Sequence, residues 1–257
     1  MNTNHQKLLK QFKRWRIWVL LSTALVMGGS AIVMVASTPT TAASTRLHAA
    51  SARVKTTLAP LLKTAQSAPG QAIFLRIIKA ESLLEVWIAG AKPGSPFKLL
   101  KAYPICMFSG VLGPKTKEGD MQAPEGIYEV GQAQLNPFSQ FHLSFNLGYP
   151  NAFDRAKGYT GSALMVHGNC VSIGCYAMTD PLIEEIYWLM SEYYAAKPGA
   201  KIQVQALPFR LSKENLSRYA EHPSHAFWQT LAPIYQVFEA AQLPPKVRIG
   251  KRYALLR

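Results

Sequence analysis

Two of the three cysteines in the chain, Cys170 and Cys175, fall in one short loop, "HGNCVSIGC", that opens with His167. A free thiol, with a pKa of about 8.5, is a poor nucleophile at neutral pH. An imidazole within reach takes its proton and gives a thiolate–imidazolium pair. His167 closes one expected strand and Cys175 ends the turn that follows, so the loop is short enough to fold the ring back onto the sulfur. Gly174 permits a tight turn and lets a substrate carbonyl approach the N–H groups of Gly174 and Cys175, an expected oxyanion hole. Ser172 is placed to hydrogen-bond within the loop or to orient the imidazole, and Gly168 and Gly174 complete the supporting set. The reading is nucleophilic catalysis by Cys175 with His167 as proton acceptor and donor.

The same residues permit other chemistry. His167, Cys170 and Cys175 supply three zinc-type ligands, but no fourth is evident nearby. A Cys170–Cys175 disulfide would silence the nucleophile or act as a redox switch. Cys106, in "AYPICMF", reads as a small buried hydrophobe. No metal and no cofactor is indicated.

The elements that must position this loop are mostly strands. "AIFLRIIK", "LLEVWIA", "FKLLKAYPI", "GIYEVGQ", "FHLSFNLG", "SALMVHG" and "KIQVQAL" are rich in β-branched and aromatic residues and bounded by Gly, Pro and Ser. Short strands with turn-rich connections predict a mainly β domain with helices (α+β), a sandwich or curved, mostly antiparallel sheet. One strong helix follows the loop: Asp180 is its expected cap and Pro181 suits the first helical position. Leu182, Ile186, Leu189 and Tyr193 would line its buried face. Residues 211–257 read as a helical extension, around "HAFWQTLAPIYQVFEAAQ", with a short basic extended end.

The net charge is +14, and Lys7, Lys10, Lys13, Arg14 and Arg16 supply five of those charges within a basic start, 1–16, that has no acid. An uncharged run, 17–36, follows. As a helix its twenty residues rise roughly 30 Å, the thickness of a hydrocarbon core. The basic flank keeps that end in the cytoplasm and sends the rest across. The segment is therefore expected to be a signal-anchor holding the exported domain at the membrane, with a cleaved signal peptide as the alternative. Residues 37–70 read as a linker, "STPTTAAST", and a spacer helix interrupted by Pro60; 71–210 hold the strands and the loop. The remaining basic excess suits an anionic polymer or an anionic membrane surface. Nothing resembles a nucleic-acid recognition element, and no nucleic acid partner is expected.

"HGNCVSIGC" resembles the His-Gly-…-Ser-x-Gly-Cys signature of the YkuD-type L,D-transpeptidases, and within them the YafK-like branch, whose His-to-Cys loop is similarly short. "RIIKAESLLEVWI", "AYPICMFSGVLGPKTKEGDMQAPEGIYEV", "LNPFSQFHLSFNLGYPNAFDRAKGYTGSALMVHG" and "CYAMTD" extend the likeness over about residues 72–210. The chain departs from the wider family at Ile173, where many members have a second His, and at Tyr176-Ala177-Met178, where many have Ile-Arg-Met or similar.

The resemblance implies an acyl-transfer cycle on peptidoglycan. Cys175 attacks the carbonyl at the L-centre of meso-diaminopimelate in a murein stem peptide, giving a thioacyl-enzyme. Water then makes a hydrolase and an amine makes a transpeptidase. For the YafK-like branch the implied reaction is hydrolysis of the amide between diaminopimelate and the terminal lysine of a murein-bound outer-membrane lipoprotein. The alternatives are L,D-transpeptidation, forming 3-3 cross-links or attaching lipoprotein, and a non-catalytic murein-binding scaffold. His142, Asn146, Tyr149 and Arg155, in "HLSFNLGYPNAFDR", are the expected substrate contacts, able to meet amide and carboxylate groups.

Overall fold

The computed structural model describes residues 39–256. The basic start and the apolar run, 1–36, lie outside those residues. Among the described residues no helix is long and apolar enough to cross a membrane.

The first strand, β1 (Ile73–Ile78), "IFLRII", is buried along its whole length. A strand covered on both faces has no solvated side on which to alternate. Here alternate residues serve two cores. Ile73, Leu75 and Ile77 enter the main one, while Phe74 packs with Phe97 and Phe238 on the other face. β1 is the middle strand of a five-stranded sheet. It pairs antiparallel with β2 (Leu83–Ile88), which pairs with β3 (Lys98–Pro104). On its other side it pairs parallel with β10 (Lys201–Leu207), which pairs antiparallel with β5 (Gly126–Gly131).

A second five-stranded sheet runs in the order β4 (Met107–Phe108), β9 (Tyr176–Ala177), β8 (Met165–His167), β7 (Ser144–Asn146), β6 (Leu135–Asn136). Its pairs are antiparallel except β8 with β9. Residues of both sheets, Leu75, Val86, Val204, Phe145, Val166 and Tyr176 among them, share one core. All seven expected strands form, so the mixed α+β class holds, but each five-stranded sheet carries one parallel pair.

Helix α1 (Pro39–Ala65) begins inside the stretch expected to be a linker and runs through Pro60. Pro60 is exposed, so its missing N–H faces water. Val54, Leu58, Leu62 and Ala65 of α1 enter the main core. A short α2 (Ala152–Ala156) lies between β7 and β8. Helix α3 (Asp180–Ala196) follows β9 and buries Ile183, Ile186, Tyr187, Met190 and Tyr194. Leu182 and Tyr193 are only partly buried, so the inward face is turned by about one residue from the expected stripe. The N-cap is Thr179 and not Asp180, whose carboxylate is used elsewhere.

The C-terminal extension folds as α4 (Lys213–Arg218), α5 (His225–Ala241) and a hairpin of β11 (Val247–Ile249) and β12 (Tyr253–Leu255). Helix α5 covers the outer face of the first sheet with Trp228, Leu231, Tyr235 and Phe238. Arg76 is fully buried under it. Its guanidinium lies 4.7 Å from the Tyr235 ring centre and 4.5 Å from that of Phe238, and Nη1 donates to Glu239 at 2.7 Å.

A second buried charge ties the extension to the loop before β5. Lys79 Nζ lies 3.0 Å from Glu125 Oε1, and both side chains are wholly buried. Lys79 also donates to the carbonyls of Val111, Gly113 and Ala123. Glu125 accepts from the Gly113 N–H at 2.7 Å and from Trp228 Nε1 at 2.8 Å. Burial pushes the Lys79 pKa down, although Glu125 opposes the shift. Such a pair is worth little against apolar replacements, but removing one partner strands the other. Lys79→Met should therefore cost about 3–5 kcal/mol in urea unfolding, and the Lys79→Met/Glu125→Leu double variant should be more stable than that single variant. Additive losses would refute the pairing.

Candidate active site

The loop that holds Cys170 and Cys175 joins two neighbouring parallel strands. In β8 and β9, Val166 faces Tyr176 and His167 faces Ala177. Cys175 directly precedes Tyr176, so the same register sets it beside Met165. Laterally paired residues point to one side of a sheet, and so do residues two apart in a strand. Cys175 therefore shares a face with His167, on adjacent strands and one pleat apart. Diagonal neighbours of this kind lie about 7–8 Å apart at their Cα atoms, within reach of an imidazole. The register accounts for the Met165 N–H, which donates to Cys175 Sγ at 3.4 Å. Cys175 Sγ in turn contacts the Ala163 carbonyl at 3.7 Å.

His167 is buried, and its ring lies 4.7 Å from that of Phe141, centre to centre. Nδ1 donates to the Gly168 carbonyl at 2.6 Å. In the neutral ring this leaves Nε2 as the acceptor. No hydrogen bond joins His167 to Cys175 among the described residues. Burial lowers the pKa of His167 against the opposing Gly168 bond. Burial also raises that of Cys175, against the Met165 N–H and the Lys115 charge. Both shifts favour neutral thiol and neutral imidazole over the ion pair expected from spacing, because burial penalises each separate charge.

The loop between them is tied at several points. Gly168 donates to the carbonyls of Phe141 and Leu143, and a Cβ there would lie 2.5 Å from Asp180 Oδ1. Asn169 and Cys170 both have positive φ, 66° and 40°, which costs a non-glycine residue roughly 1–2 kcal/mol each. They are held by Asp180 Oδ1, which accepts from the Asn169 N–H at 2.7 Å, and by the Met178 carbonyl, which accepts from the Cys170 N–H at 3.2 Å. Ser172 Oγ donates to the Cys175 carbonyl at 2.7 Å and accepts from the Gly174 N–H at 3.2 Å and from Ser109 Oγ at 3.1 Å. Gly174 has φ 143°, a conformation that excludes side chains. Its N–H is thus taken by Ser172, which corrects the expected pair of oxyanion donors. Only the Cys175 N–H, for which no acceptor is found among the described residues, remains of the two.

Cys106 and Cys170 form a disulfide, with Cα atoms 5.4 Å apart, and Cys175 is the free thiol. Cys106 is exposed and is not the buried hydrophobe expected. The bridge joins the 168–175 loop to the residue before β4. It also removes Cys170 from a pair with Cys175 and from a zinc set with His167 and Cys175.

Cys175, His167, Ser172 and Gly174 line one cavity of about 660 Å³. Its other walls are Met107, Phe141, Ser162–Met165, Val171, Ile173 and a stretch holding Lys115, Glu118 and Gly119. None of the four expected substrate contacts lines it. His142 Nε2 meets Glu184 Oε1 of α3 at 2.9 Å. Asn146 Oδ1 accepts from the Gly148 N–H at 2.7 Å. Tyr149 is buried and donates to the Lys115 and Thr160 carbonyls, and Arg155 donates to the Pro150 carbonyl. Lys115 and Glu118 were missed. The cue was Asp120, four and five residues beyond Thr116 and Lys115, able to fold "KTKEGD" back on itself.

If the resting pair is neutral, alkylation of Cys175 by iodoacetamide should rise with pH and still be climbing above about pH 8.5, the ordinary thiol value. A rate plateau reached below pH 7 would indicate a preformed thiolate–imidazolium pair.

No family model matches the chain. Over 185 residues it is 41% identical to "Putative L,D-transpeptidase YafK" of Escherichia coli K12, covering 72% of this chain and 73% of that protein. The sequence from Escherichia coli O157:H7 matches to the same extent. Among solved structures, the helical cell shape determining protein Pgp2 of Campylobacter jejuni aligns over 74% of this chain and 79% of its own, at 15% identity and a TM-score of 0.41. Bd1075 of Bdellovibrio bacteriovorus aligns over 67% and 65%, at 22% identity and a TM-score of 0.36. On the extent of its identity with YafK, and with Cys175 and His167 on one face of adjacent strands, the chain belongs to the YafK branch of the L,D-transpeptidase family.

Proposed function

We propose that the protein is a peptidoglycan-modifying cysteine acyl transferase or hydrolase, with Cys175 as nucleophile and His167 as its proton acceptor and donor. The observation that carries this is the placing of both side chains on one sheet face, lining one cavity. Family membership supports a peptidoglycan-related substrate, and murein stem peptides are the proposed class.

The chemistry follows from the geometry. Nδ1 of His167 is held by the Gly168 carbonyl, so Nε2 takes the thiol proton as sulfur attacks the carbonyl at the L-centre of diaminopimelate. Both shifts favour the neutral pair, so in this reading proton transfer accompanies attack. The tetrahedral oxyanion forms next to the Cys175 N–H, which donates to it. Collapse breaks the amide bond: the imidazolium protonates the departing amine and a thioester to Cys175 remains. In hydrolysis, water gives its proton to His167, adds to the thioester carbonyl and expels the thiolate. An attacking amine forms a new amide instead.

By resemblance to the YafK-like branch, the proposed bond is the amide between diaminopimelate and the terminal lysine of a murein-bound lipoprotein, with water as acceptor. The protein would act in the periplasm, tethered at the inner membrane through residues 17–36. The supporting feature is the basic flank ahead of an uncharged twenty-residue run.

The test incubates the protein with lipoprotein-linked murein and with free tetrapeptide muropeptides, and follows products by mass spectrometry. A released lipoprotein ending in lysine is expected. Release of D-alanine with a new cross-link would mark a transpeptidase. Cys175→Ala should abolish either product, and His167→Ala should lower kcat/KM by about 10²–10⁴-fold. No product from either substrate would sink the enzymatic reading in favour of a scaffold.

A further inference from the structure

The cavity around Cys175 is mostly apolar, with Met107, Phe141, Leu164, Met165, Val171 and Ile173 in its walls. Apart from the catalytic pair, the ionisable side chains lining it are Lys115 and Glu118, three residues apart in one loop. A ligand carrying charge has this stretch of wall to meet.

Lys115 is built in. It is 4% exposed, and its Nζ donates to Asp120 Oδ1 at 2.5 Å and to the Lys117 carbonyl at 2.9 Å. Its stem is clamped against Gly161, where a Cβ would lie 2.7 Å from the Lys115 Cε. Its own carbonyl accepts from the buried Tyr149 hydroxyl at 3.2 Å. An ammonium has three donors. Two are used, and the third has no acceptor among the described residues although the side chain lines the cavity.

Asp120 pairs with the Lys115 ammonium but leaves its third donor unused. Its carboxylate also accepts from the N–H groups of Thr116, Lys117 and Gln122. Burial pushes the Asp120 carboxyl up, but the bonds from Lys115 and from those three N–H groups outweigh it and hold it below its ordinary value. The carboxylate is thus shared among four donors, and the loop is pinned around it. Glu118 differs. Its backbone N–H is fixed by Thr160 Oγ1 at 3.0 Å, while its exposed carboxylate has no ion-pair partner among the described residues.

A buried cation with one unused donor and an unpaired anion three residues away suit a ligand group bearing both charges. We infer that Lys115 and Glu118 form a subsite for a zwitterionic amino-acid head, Lys115 taking its carboxylate and Glu118 its ammonium. The inference rests on the murein reading of the same cavity. There, the far D-centre of diaminopimelate carries a free carboxylate and, in an uncross-linked stem, a free ammonium. Docking that head would place the L-centre carbonyl of the same residue toward Cys175. It would also select stems not already cross-linked through that amine.

The test uses the full chain and a disaccharide-tripeptide whose L-centre carboxyl is amide-linked to the ε-amine of lysine. Three forms are compared: unmodified, amidated on the D-centre carboxyl, and acetylated on the D-centre amine. Each modification should lower kcat/KM of the parent about 10–100-fold, chiefly through KM. The amidation penalty should vanish in Lys115→Met and the acetylation penalty in Glu118→Gln, each variant keeping the other penalty. Lys115→Arg, which keeps the charge should the Met variant unfold, should retain the amidation penalty. Equal turnover of all three forms by the parent would overturn the subsite alone. Penalties that persist unchanged in both variants would do the same, while no turnover of any form would overturn the murein reading with it.

Discussion

The parallel pairing of β8 with β9 is the constraint on which the site depends. Parallel neighbours ordinarily need a crossover of a dozen residues or more. Here eight residues, 168–175, carry the chain back to start the next strand alongside the last. So short a return cannot relax, and two consecutive residues take left-handed backbone within it. Each tie on the loop bears on this turn: the Cys106–Cys170 bridge from one side, Asp180 at the start of α3 from the other, and Ser172 within. The outcome is a thiol and an imidazole one pleat apart on a single face, which is the arrangement that nucleophilic catalysis needs.

Enclosure sets the electrostatics of that pair. A wetter cleft would favour thiolate and imidazolium, whereas the buried His167 and half-buried Cys175 are both pushed toward neutrality. In the proposed reaction, charge develops as the substrate carbonyl arrives, where the Cys175 N–H would meet it. The apolar walls serve the same end by keeping the dielectric low around a reaction that moves one proton and one negative charge.

The C-terminal extension belongs to this design although none of its residues lines the cavity. Trp228 of α5 closes the hydrogen-bond shell of Glu125, which holds Lys79 and, through it, the carbonyls of Val111, Gly113 and Ala123. Those residues frame the loop that presents Lys115 and Glu118. A helix packed on the outer face of one sheet thereby steadies a wall of the cavity over the other. The chemistry, the loop and the extension are coupled through buried charge, where satisfying every donor matters more than the strength of any one bond.

By itself the sequence determined the strands and the helix after Cys175, and it singled out the candidate reactive loop. Those signals are local: β-branched runs between turns, Pro181 at a helix start, and a Cys following Gly174 near a His. It left undecided which thiol pairs with which, because Cys106 and Cys170 are separated by 64 residues and are brought together by the β4–β9 pairing. It likewise hid the two parallel pairs, the capture of the Gly174 N–H by Ser172, and the entry of Lys115 and Glu118 into the cavity. His142, Asn146, Tyr149 and Arg155 read as substrate contacts because polar side chains near a catalytic motif look alike in one dimension. Only the tertiary structure decides which of them face a cavity and which are spent on neighbouring backbone and helix, because that is settled by contacts between residues distant in the chain.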